Sequence, residues 1–565
     1  MTGTAGRTDG VTDPVAPGDP TNGETIAAML AAAEPTAPRR LGELIDRLDE
    51  SGRLRALTSS GPEGQGDDSR GPELRATEIS GVTFDSRHVS AASVFVAVAG
   101  AHADGHAFVA AAGRLGAAAA IVERRVAGTA IPQIVVDDAR RSLAVAAAWW
   151  YGDPSREIGI VGITGTDGKT TTAFLATAVL EAAGISTGLI TTAAVKVGAV
   201  RVANPEHVTT PEAPQLQRLL RAMVVAGNAA AVVETTSHGL ALERVAQIAY
   251  DIAIFTNLTH EHLELHGTFE AYRDAKLSLF RRLGAGPAKP LARTWPRLAI
   301  VNADDPAARL FGDAALDGGA LVLTYGEAEG ADVRATRVEE GGRSLGIGVA
   351  TPRWTGEVEL QLAGRFNVHN ALAAIALGEA LGLTQGEISS GLNAVGSVPG
   401  RMELVNCGQP FGVIVDYAHS PASLQKVLEA LGPMTSGGGG LIAVFGSAGE
   451  RDIGKRPMMG RIAAEQSRLV ILTDEDPRGE DSESILAEIA AGAEEAGKRI
   501  GRDVLLIVDR RVAIETAFGR AVPGDVVLLA GKGHEQTIIT KAGPQPWDER
   551  SEVVKALGRL GYGNG

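Results

Sequence analysis

The feature that most constrains this chain is an apolar run, Ile158 to Ile163, that breaks into a glycine-rich turn and resumes as a lysine-headed segment: Gly162-Ile-Thr-Gly165-Thr166-Asp167-Gly168-Lys169-Thr170-Thr171-Thr172. An apolar strand that turns into a helix through glycines belongs to a parallel sheet. There, free backbone N–H groups and the positive end of the helix dipole can hold an anion. The spacing predicts a helix from Lys169 to about Ala183, with Lys169 reaching terminal phosphates and Thr170 suited to Mg²⁺. Ile163 stands where the general G-x4-G-K-S/T rule has glycine, so this is a variant of the phosphate loop.

The chain has 565 residues, 44% of them hydrophobic, which is too much for one ordinary domain and enough for several cores. A net charge of -15 argues against a sequence-independent grip on nucleic acid or anionic lipid, both of which need a basic surface. One cysteine, Cys407, leaves no internal disulfide, and the start lacks a basic-then-apolar signal pattern, so a reducing cytoplasmic setting is expected. Apolar stretches such as Leu143 to Trp150 fall far short of the roughly 20 residues of a membrane helix, so no membrane insertion is expected.

Residues 1–73 read as a mobile extension, irregular to about residue 38 and again from Ser59 to Gly71, with one short helix where Leu41, Leu44, Ile45 and Leu48 share a face. Residues 74–156 read as a small α/β domain, with strands at Val94 to Ala97, Ala118 to Val122 and Gln133 to Val136. Residues 157–397 carry the phosphate loop. In 398–565, strands near Val413 to Val415, Leu441 to Phe445, Leu469 to Leu472, Val504 to Ile507 and Val526 to Leu529 alternate with helical stretches. The expected fold is therefore three α/β domains, the last doubly wound around a parallel sheet.

After the loop come Glu234-Thr-Thr236-Ser237-His238-Gly239-Leu240, then Thr256-Asn257-Leu258-Thr259-His260-Glu261-His262-Leu263-Glu264-Leu265-His266-Gly267, then Ala271-Tyr272-Arg273-Asp274-Ala275-Lys276. Together with Gly165-Thr-Asp-Gly-Lys-Thr-Thr171, these resemble the Mur ligases and their relatives, the folylpolyglutamate and cyanophycin synthetases. The family patterns are E-x-S-S-H-G-L, T-N-L-x-x-D-H-L-D-x-H-G and A-Y-x-x-A-K. The resemblance implies ATP held by Gly165, Thr166, Asp167, Gly168, Lys169, Thr170 and Thr171. It also implies Mg²⁺ bound by Thr170, Glu234 and His262, and a CO2-derived carbamate on Lys276. The chemistry suits those residue types: an unmodified lysine would repel the metal, and a carbamate supplies two oxygens to a hard cation. Asp167 stands where the family usually has Asn.

The same resemblance implies a site for a uridine-diphosphate sugar at Asp85-Ser86-Arg87 and at Gly100-Ala101-His102-Ala103-Asp104-Gly105, with Ser86, Ala101, His102 and Ala103 as contacts. Thr209, Thr210, Thr236 and Arg244 match positions that hold the muramyl peptide. Asn370, in Gly364-Arg-Phe-Asn367-Val-His-Asn370, inherits a place near adenine. Arg401, Asp416 and His419, in Pro399-Gly-Arg401-Met-Glu403 and Asp416-Tyr-Ala-His419-Ser-Pro421, would close on the nucleotide from the other side.

Three further elements resemble the tripeptide-synthetase branch of the family: Gly446-Ser-Ala-Gly449-Glu-Arg451-Asp-Ile-Gly-Lys-Arg-Pro457, Glu475-Asp476-Pro477-Arg478 and Gly531-Lys-Gly-His-Glu535. The resemblance places the incoming amino acid among Arg451, Glu475, Asp476, Pro477, Arg478, Gly531 and Glu535, with the arginines on a carboxylate and Glu535 on an ammonium. Paired guanidinium–carboxylate contacts supply strength and orientation. Glu475-Asp476 replaces the D-N of D-N-P-R, and two acids favour a cationic side chain. meso-2,6-Diaminopimelate leads because Arg478 is retained, with L-lysine or another residue as the alternative.

The expectation is a monomeric enzyme that uses ATP to add a diamino acid to a UDP-linked muramyl dipeptide through an acyl phosphate. The rivals are a sibling ligase that adds a dipeptide or a glutamate, and a P-loop switch or motor ATPase, which would need no amino-acid pocket.

Overall fold

The computed structural model describes residues 20–58, 71–100, 103–204, 208–259, 263–341 and 344–563. Two compact units divide the chain. One is Met1–Pro154 with Ala194–Pro205 and Pro214–Asn228, and the other is Ser155–Ala193, Glu206–Ala213 and Ala229–Gly565.

The first unit is built on a sheet ordered Leu54–Thr58, Gln133–Val136, Ala119–Val122, Ser93–Val96, Gly81–Thr83, antiparallel at the first pair and parallel after it. The helix Leu41–Glu50 buries Leu41, Leu44, Ile45 and Leu48 in one core with Trp149 and Trp150 of the helix Ala139–Trp150. This corrects the reading of residues 1–73 as a mobile extension. Within its described part, the Leu41 helix and the Leu54–Thr58 strand belong to the domain, and a further helix runs over Pro20–Ala32. That helix is rich in alanine and has no apolar stripe, so periodicity gives no sign of it. Tertiary anchors hold its end instead: Arg218 Nε donates to Leu30 O at 3.2 Å and pairs with Glu34, which also accepts from Tyr151 OH at 3.1 Å. Ser59 to Arg70 lies outside the described residues.

A boundary at residue 157 also differs from the folded arrangement. The hairpin Ala194–Val197/Val200–Ala203 and most of the helix Ala213–Val225 group with the first unit, where Arg221 Nε caps Tyr151 O at 2.7 Å.

In the second unit the strands run in the order Thr187–Ile190, Ala230–Glu234, Gly159–Thr164, Ile252–Phe255, Leu298–Asn302, Leu321–Gly326, then Val333–Glu340, Leu345–Ala350 and Thr355–Leu360. Pairing is parallel as far as Val333 and antiparallel beyond, an extension that the motifs do not announce. Gly159–Thr164 is buried throughout and lies between the strands that end at Glu234 and Phe255. Three loops therefore leave the same sheet edge side by side. The helix Lys169–Ala182 packs against Asn367–Ala380 and Gln385–Asn393. A Cβ at Gly391 would lie 2.5 Å from Val179 Cα, so only glycine permits that approach.

The C-terminal sheet is ordered Glu403–Leu404, Gly412–Val415, Val526–Leu529, Leu441–Phe445, Leu469–Leu472, Val504–Leu506, parallel except at its first pair. Helices Pro421–Leu431, Lys455–Gln466 and Ser482–Glu495 fill a core on one face. Arg510–Arg520 and Glu549–Arg559 fill a core on the other. This is the expected doubly wound arrangement, and each fully buried Leu or Ile on these strands contributes about 1.5–3 kcal/mol. Among the described residues, no helix is long and apolar enough to cross a membrane.

Candidate active site

The turn after Gly159–Thr164 is set by two glycines. Gly165 has φ +152°, and a Cβ there would sit 1.9 Å from Thr256 Oγ1. Gly168 has φ +81° and opens the helix Lys169–Ala182 in the left-handed region, where a Cβ would lie 2.3 Å from Asn370 Oδ1. Neighbouring strands hold the turn: Asp167 N donates to Asn257 Oδ1 at 2.9 Å, Thr256 Oγ1 donates to Asp167 O at 2.7 Å, and Thr166 Oγ1 lies 2.9 Å from Tyr272 OH. Lys169 Nζ donates to Thr166 O at 2.7 Å. The result is a fixed cradle of backbone N–H groups at a helix N-terminus, suited to phosphates.

Beside it, Thr170 Oγ1 donates to Glu234 Oε2 at 3.0 Å, and the same carboxylate oxygen accepts the Thr192 N–H at 3.0 Å. Glu234 is buried at the tip of its strand. Its backbone carbonyl accepts Thr210 Oγ1, which in turn accepts from Thr236 Oγ1, both at 3.0 Å. Arg244 Nη1 donates to Thr210 O at 3.0 Å and pairs with Glu212 at 2.6 Å, while Thr209 Oγ1 lies 2.7 Å from Thr192 Oγ1. Lys276 is 1% exposed, donates to Gly165 O at 2.6 Å and lies over the Tyr272 ring at 4.5 Å.

The C-terminal sheet contributes a second wall. Arg401 stacks on Tyr417 at 4.6 Å and extends Nη2 to 3.5 Å from Thr170 Oγ1. Lys426 pairs with Asp167 at 3.1 Å. Burial opposes charge on Asp167, yet Lys426, with Lys169 and Arg401 farther off, holds its carboxyl below the usual range. The side chain of Asp416 is spent on its own loop: Oδ2 accepts Met402 N–H and Oδ1 accepts Ala418 N–H, both at 2.7 Å. Burial pushes that carboxyl up. His419 Nδ1 lies 3.0 Å from Tyr417 O, and Lys455 Nζ holds His419 O at 2.7 Å.

Loops after four adjacent parallel strands, those ending at Val415, Leu529, Phe445 and Leu472, gather at one sheet edge, where ligands of such sheets bind. Lys532, fully buried, is shared by Asp476 Oδ1 at 2.8 Å and Glu535 Oε2 at 2.5 Å, and Glu535 Oε1 accepts Tyr417 OH at 3.2 Å. Asp476 Oδ1 also accepts the Ile539 N–H at 2.9 Å. Burial raises the Glu535 carboxyl against the pull of Lys532, with Asp476 and Glu475 adding to the rise. The two carboxylates that share Lys532 hold that ammonium charged, against its burial. Four polar atoms at this edge are buried with no partner among the described residues: Ser447 Oγ, Glu475 Oε2, Arg478 Nε and His534 Nδ1. Unpaired buried polar atoms are costly, so these four are groups at this edge with hydrogen-bonding capacity left for a further partner.

Three family descriptions match: "Mur ligase family, catalytic domain" over residues 78–148, "Mur ligase middle domain" over 163–378 and "Mur ligase, glutamate ligase domain" over 400–533. The chain is 49% identical over 490 residues to a UDP-N-acetylmuramyl-tripeptide synthetase of Roseiflexus sp. (strain RS-1), covering 86% of this chain and 96% of that one. The chain belongs to the Mur ligase family. It is also 41% identical to a UDP-N-acetylmuramoyl-L-alanyl-D-glutamate–2,6-diaminopimelate ligase of Bacillus velezensis, covering 81% of this chain and 90% of that one. A solved structure of a ligase with that same name aligns with TM-score 0.60 at 30% identity, over 86% of this chain and 96% of the other.

In this Mur ligase, Gly165 to Thr171, Glu234, Lys276, Thr209, Thr210, Thr236 and Arg244 lie in one connected network around the phosphate loop. Asn370, expected near adenine, is buried under the loop, where its Oδ1 accepts Thr172 Oγ1 at 3.1 Å. His262, Ala101 and His102 fall outside the described residues. Ser86 and Ala103 lie on loops of the first unit: Asp85 caps the turn Ser86–His88, and Ala103 O accepts Gly100 N–H at 2.9 Å. Arg451 is exposed at a loop tip, two residues beyond Gly449, whose N–H bonds Asp476 O at 2.8 Å. Pro477 packs against that glycine, with its carbonyl 2.1 Å from where a Cβ would stand, and Gly531, at φ +100°, faces Glu475.

Residues that sequence reasoning missed include Thr192, Lys426, Lys532 and the buried Arg456, which pairs with Glu480 at 2.9 Å and Glu488 at 2.8 Å. Lys532 had a signal, a lysine between two glycines just past an apolar strand. Lys426 had none, because a lysine on an amphipathic helix usually faces solvent.

Proposed function

We propose that this protein adds a diamino acid, meso-2,6-diaminopimelate ahead of L-lysine, to the D-glutamyl residue of UDP-N-acetylmuramoyl-L-alanyl-D-glutamate in the cytoplasm, consuming ATP. A D-glutamyl carboxylate oxygen attacks the γ-phosphorus and the bond to ADP breaks. The amine nitrogen then attacks the acyl carbon, inorganic phosphate leaves, and the amine gives up its proton.

The phosphate loop and Lys169 bind and orient the triphosphate, and Arg401 brings a positive charge to the same place from the C-terminal wall. Thr170 and Glu234 present oxygens side by side, the donor chemistry that a hard cation takes. With His262 and a carbamylated Lys276 they would hold Mg²⁺, which neutralises charge as two anions approach. Lys276 fits a carbamate in that it is sealed from water next to the phosphate loop, where a bare ammonium beside a divalent cation would be repelled. Thr209, Thr210, Thr236 and Arg244 orient the muramyl peptide, and Ser86, Ala101, His102 and Ala103 hold the uridine diphosphate.

The observation that carries the choice of diaminopimelate is the buried, unpartnered Arg478 Nε in the loop 475–478. A guanidinium there can donate to a second carboxylate, which diaminopimelate has and lysine lacks. Turnover of an amino-acid panel with the UDP-dipeptide acceptor tests this. L-Lysine turning over faster than diaminopimelate at equal concentration would reject it. Arg478→Ala should raise the KM for the amino acid far more than that for ATP, and ADP release indifferent to the acceptor would favour a switch or motor ATPase.

A further inference from the structure

The helix Pro20–Ala32 takes no part in the chemistry proposed above, and its contacts show what it holds. Ile26 and Ala33 are buried, and Met29 reaches the turn of the hairpin Ala194–Val197/Val200–Ala203, where its Cε stands 3.9 Å from the place of a Cβ on Gly198. The helix packs along Val200–Ala203, the outer strand of that hairpin. Just past the helix, Glu34 pairs with Arg218 Nε at 2.7 Å and accepts Tyr151 OH at 3.1 Å, while Arg218 Nε also reaches Leu30 O at 3.2 Å. Arg221 donates Nε to Tyr151 O at 2.7 Å and Nη2 to Gly152 O at 2.9 Å. All of these residues belong to the first compact unit. The ion pair is partly exposed and weak by itself, so the tether acts through the sum of its contacts.

Both tethered pieces border the segment to which the muramyl peptide is assigned. The chain leaves this unit after Pro205, carries Thr209, Thr210 and Glu212, and returns at Pro214. Thr210 stands three positions ahead of Ala213, where the helix Ala213–Val225 begins. Arg218 and Arg221 lie three apart on that helix and so share a face. A hydrogen-bonded helix moves as a stiff rod, so fixing those two residues fixes its first turn and the residues that lead into it. A segment ordered in advance spares the acceptor the entropy cost of ordering it on binding.

We infer that residues 20–34 are a positioning element for the UDP-muramyl dipeptide: they hold the hairpin and the helix on either side of Thr209 and Thr210, and so preset those hydroxyls for the acceptor. The inference rests on reading Thr209 and Thr210 as acceptor contacts. Glu34 and Arg218 touch no substrate and act through the helix. The phosphate loop is held by Thr256, Asn257 and Tyr272 instead, so ATP binding is independent of this arm.

The test is steady-state kinetics on the full-length enzyme, a chain lacking residues 1–34 and a chain lacking residues 1–19. Removing 1–34 should raise the KM for the UDP-dipeptide about 10-fold, the cost of ordering one or two side chains, with kcat within about 2-fold and the KM for ATP unchanged. Removing 1–19 keeps every contact named here and should change neither KM. If the shorter chain fails to fold, Glu34→Gln with Tyr151→Phe loosens the same tether and should raise the acceptor KM about 3-fold. Hydrogen exchange over residues 208–213 should quicken in the chain lacking 1–34, while that over 165–171 stays as it was. A lower melting temperature with an unchanged acceptor KM would reduce the arm to a packing cover for the hairpin and overturn the inference, as would equal losses in the KM for ATP. Thr209→Val checks the reading beneath it. An acceptor KM that Thr209→Val leaves unmoved removes the acceptor segment itself, whereas one raised by Thr209→Val and indifferent to residues 20–34 defeats the inference alone.

Discussion

Lys426, on the helix Pro421–Leu431, sets its Nζ 3.1 Å from Oδ2 of Asp167 in the phosphate loop. The pair joins the loop to the C-terminal sheet region. It also offsets the charge of an aspartate in a loop whose backbone N–H groups suit phosphates. Both side chains are more than a third exposed on their own account, at 48% and 35%, so the pair adds less than about 1 kcal/mol to stability.

Its effect should fall on ATP instead. Lys426→Ala removes the cation paired with Asp167, leaving only Lys169 and Arg401 to offset it, and should raise the KM for ATP about 5- to 10-fold. In an Asp167→Asn background the same change should cost no more than about 2-fold, since the charge it compensated is gone. Steady-state kinetics on the four proteins of this cycle provide the check, and additive effects would show the two residues to be uncoupled.

Lys276→Ala should lose most activity, and millimolar acetate should restore part of it by placing a carboxylate in the vacated space. Lys276→Arg and Lys276→Gln should respond less, because both still fill the site. Activity close to wild type in Lys276→Ala without added carboxylate would end the carbamate role. Mass spectrometry under bicarbonate offers a second readout.

His534 is buried and faces Arg401, Lys532 and His419, and burial first, then those charges, push its pKa down to about 3. Above pH 6.5 it is neutral whether folded or unfolded. As pH falls below that value the unfolded chain takes up a proton that the fold refuses, so stability is lost between pH 6.5 and 3. At pH 5 this loss is about 2 kcal/mol. Melting temperatures measured from pH 7.5 to 5 should therefore fall more steeply for the wild type than for His534→Gln.

Gly168→Ala should abolish ATP binding while leaving the sheets folded. The added methyl meets Asn370 Oδ1 at 2.3 Å, and alanine resists φ +81° by about 1–2 kcal/mol. Circular dichroism alongside nucleotide titration separates the two effects, and normal binding would show that the loop adapts.

Arg510 and Glu549 are both sealed from water and paired at 2.6 Å, with Trp547 Nε1 also on Glu549 at 2.6 Å. Arg510→Leu should destabilise by about 3–5 kcal/mol by leaving a buried carboxylate without its partner. Arg510→Leu with Glu549→Leu should cost less than the sum of the single changes. Chemical denaturation measures both.

What the sequence determined by itself was whatever rests on local order along the chain. The apolar runs Gln133–Val136, Ile252–Phe255, Leu441–Phe445, Leu469–Leu472 and Val526–Leu529 are strands with the ends their composition predicts, because a strand buried on both faces is a continuous hydrophobic segment. Gly165, Gly168 and Lys169 were legible because the turn they make needs those residue types within a few positions of each other. The tertiary structure alone decided which side chains are free to act. Glu475 and Asp476 are neighbours in sequence and alike in chemistry, yet packing sends one to Lys532 and leaves an oxygen of the other without a partner. Lys426 is separated from Asp167 by 259 positions, and no local pattern connects them. The helix Pro20–Ala32 lacks an apolar stripe and is held by Arg218 and Tyr151. Pairings of this kind arise from the meeting of distant segments, whose geometry is set by the whole fold and leaves no periodic trace in the residues that take part.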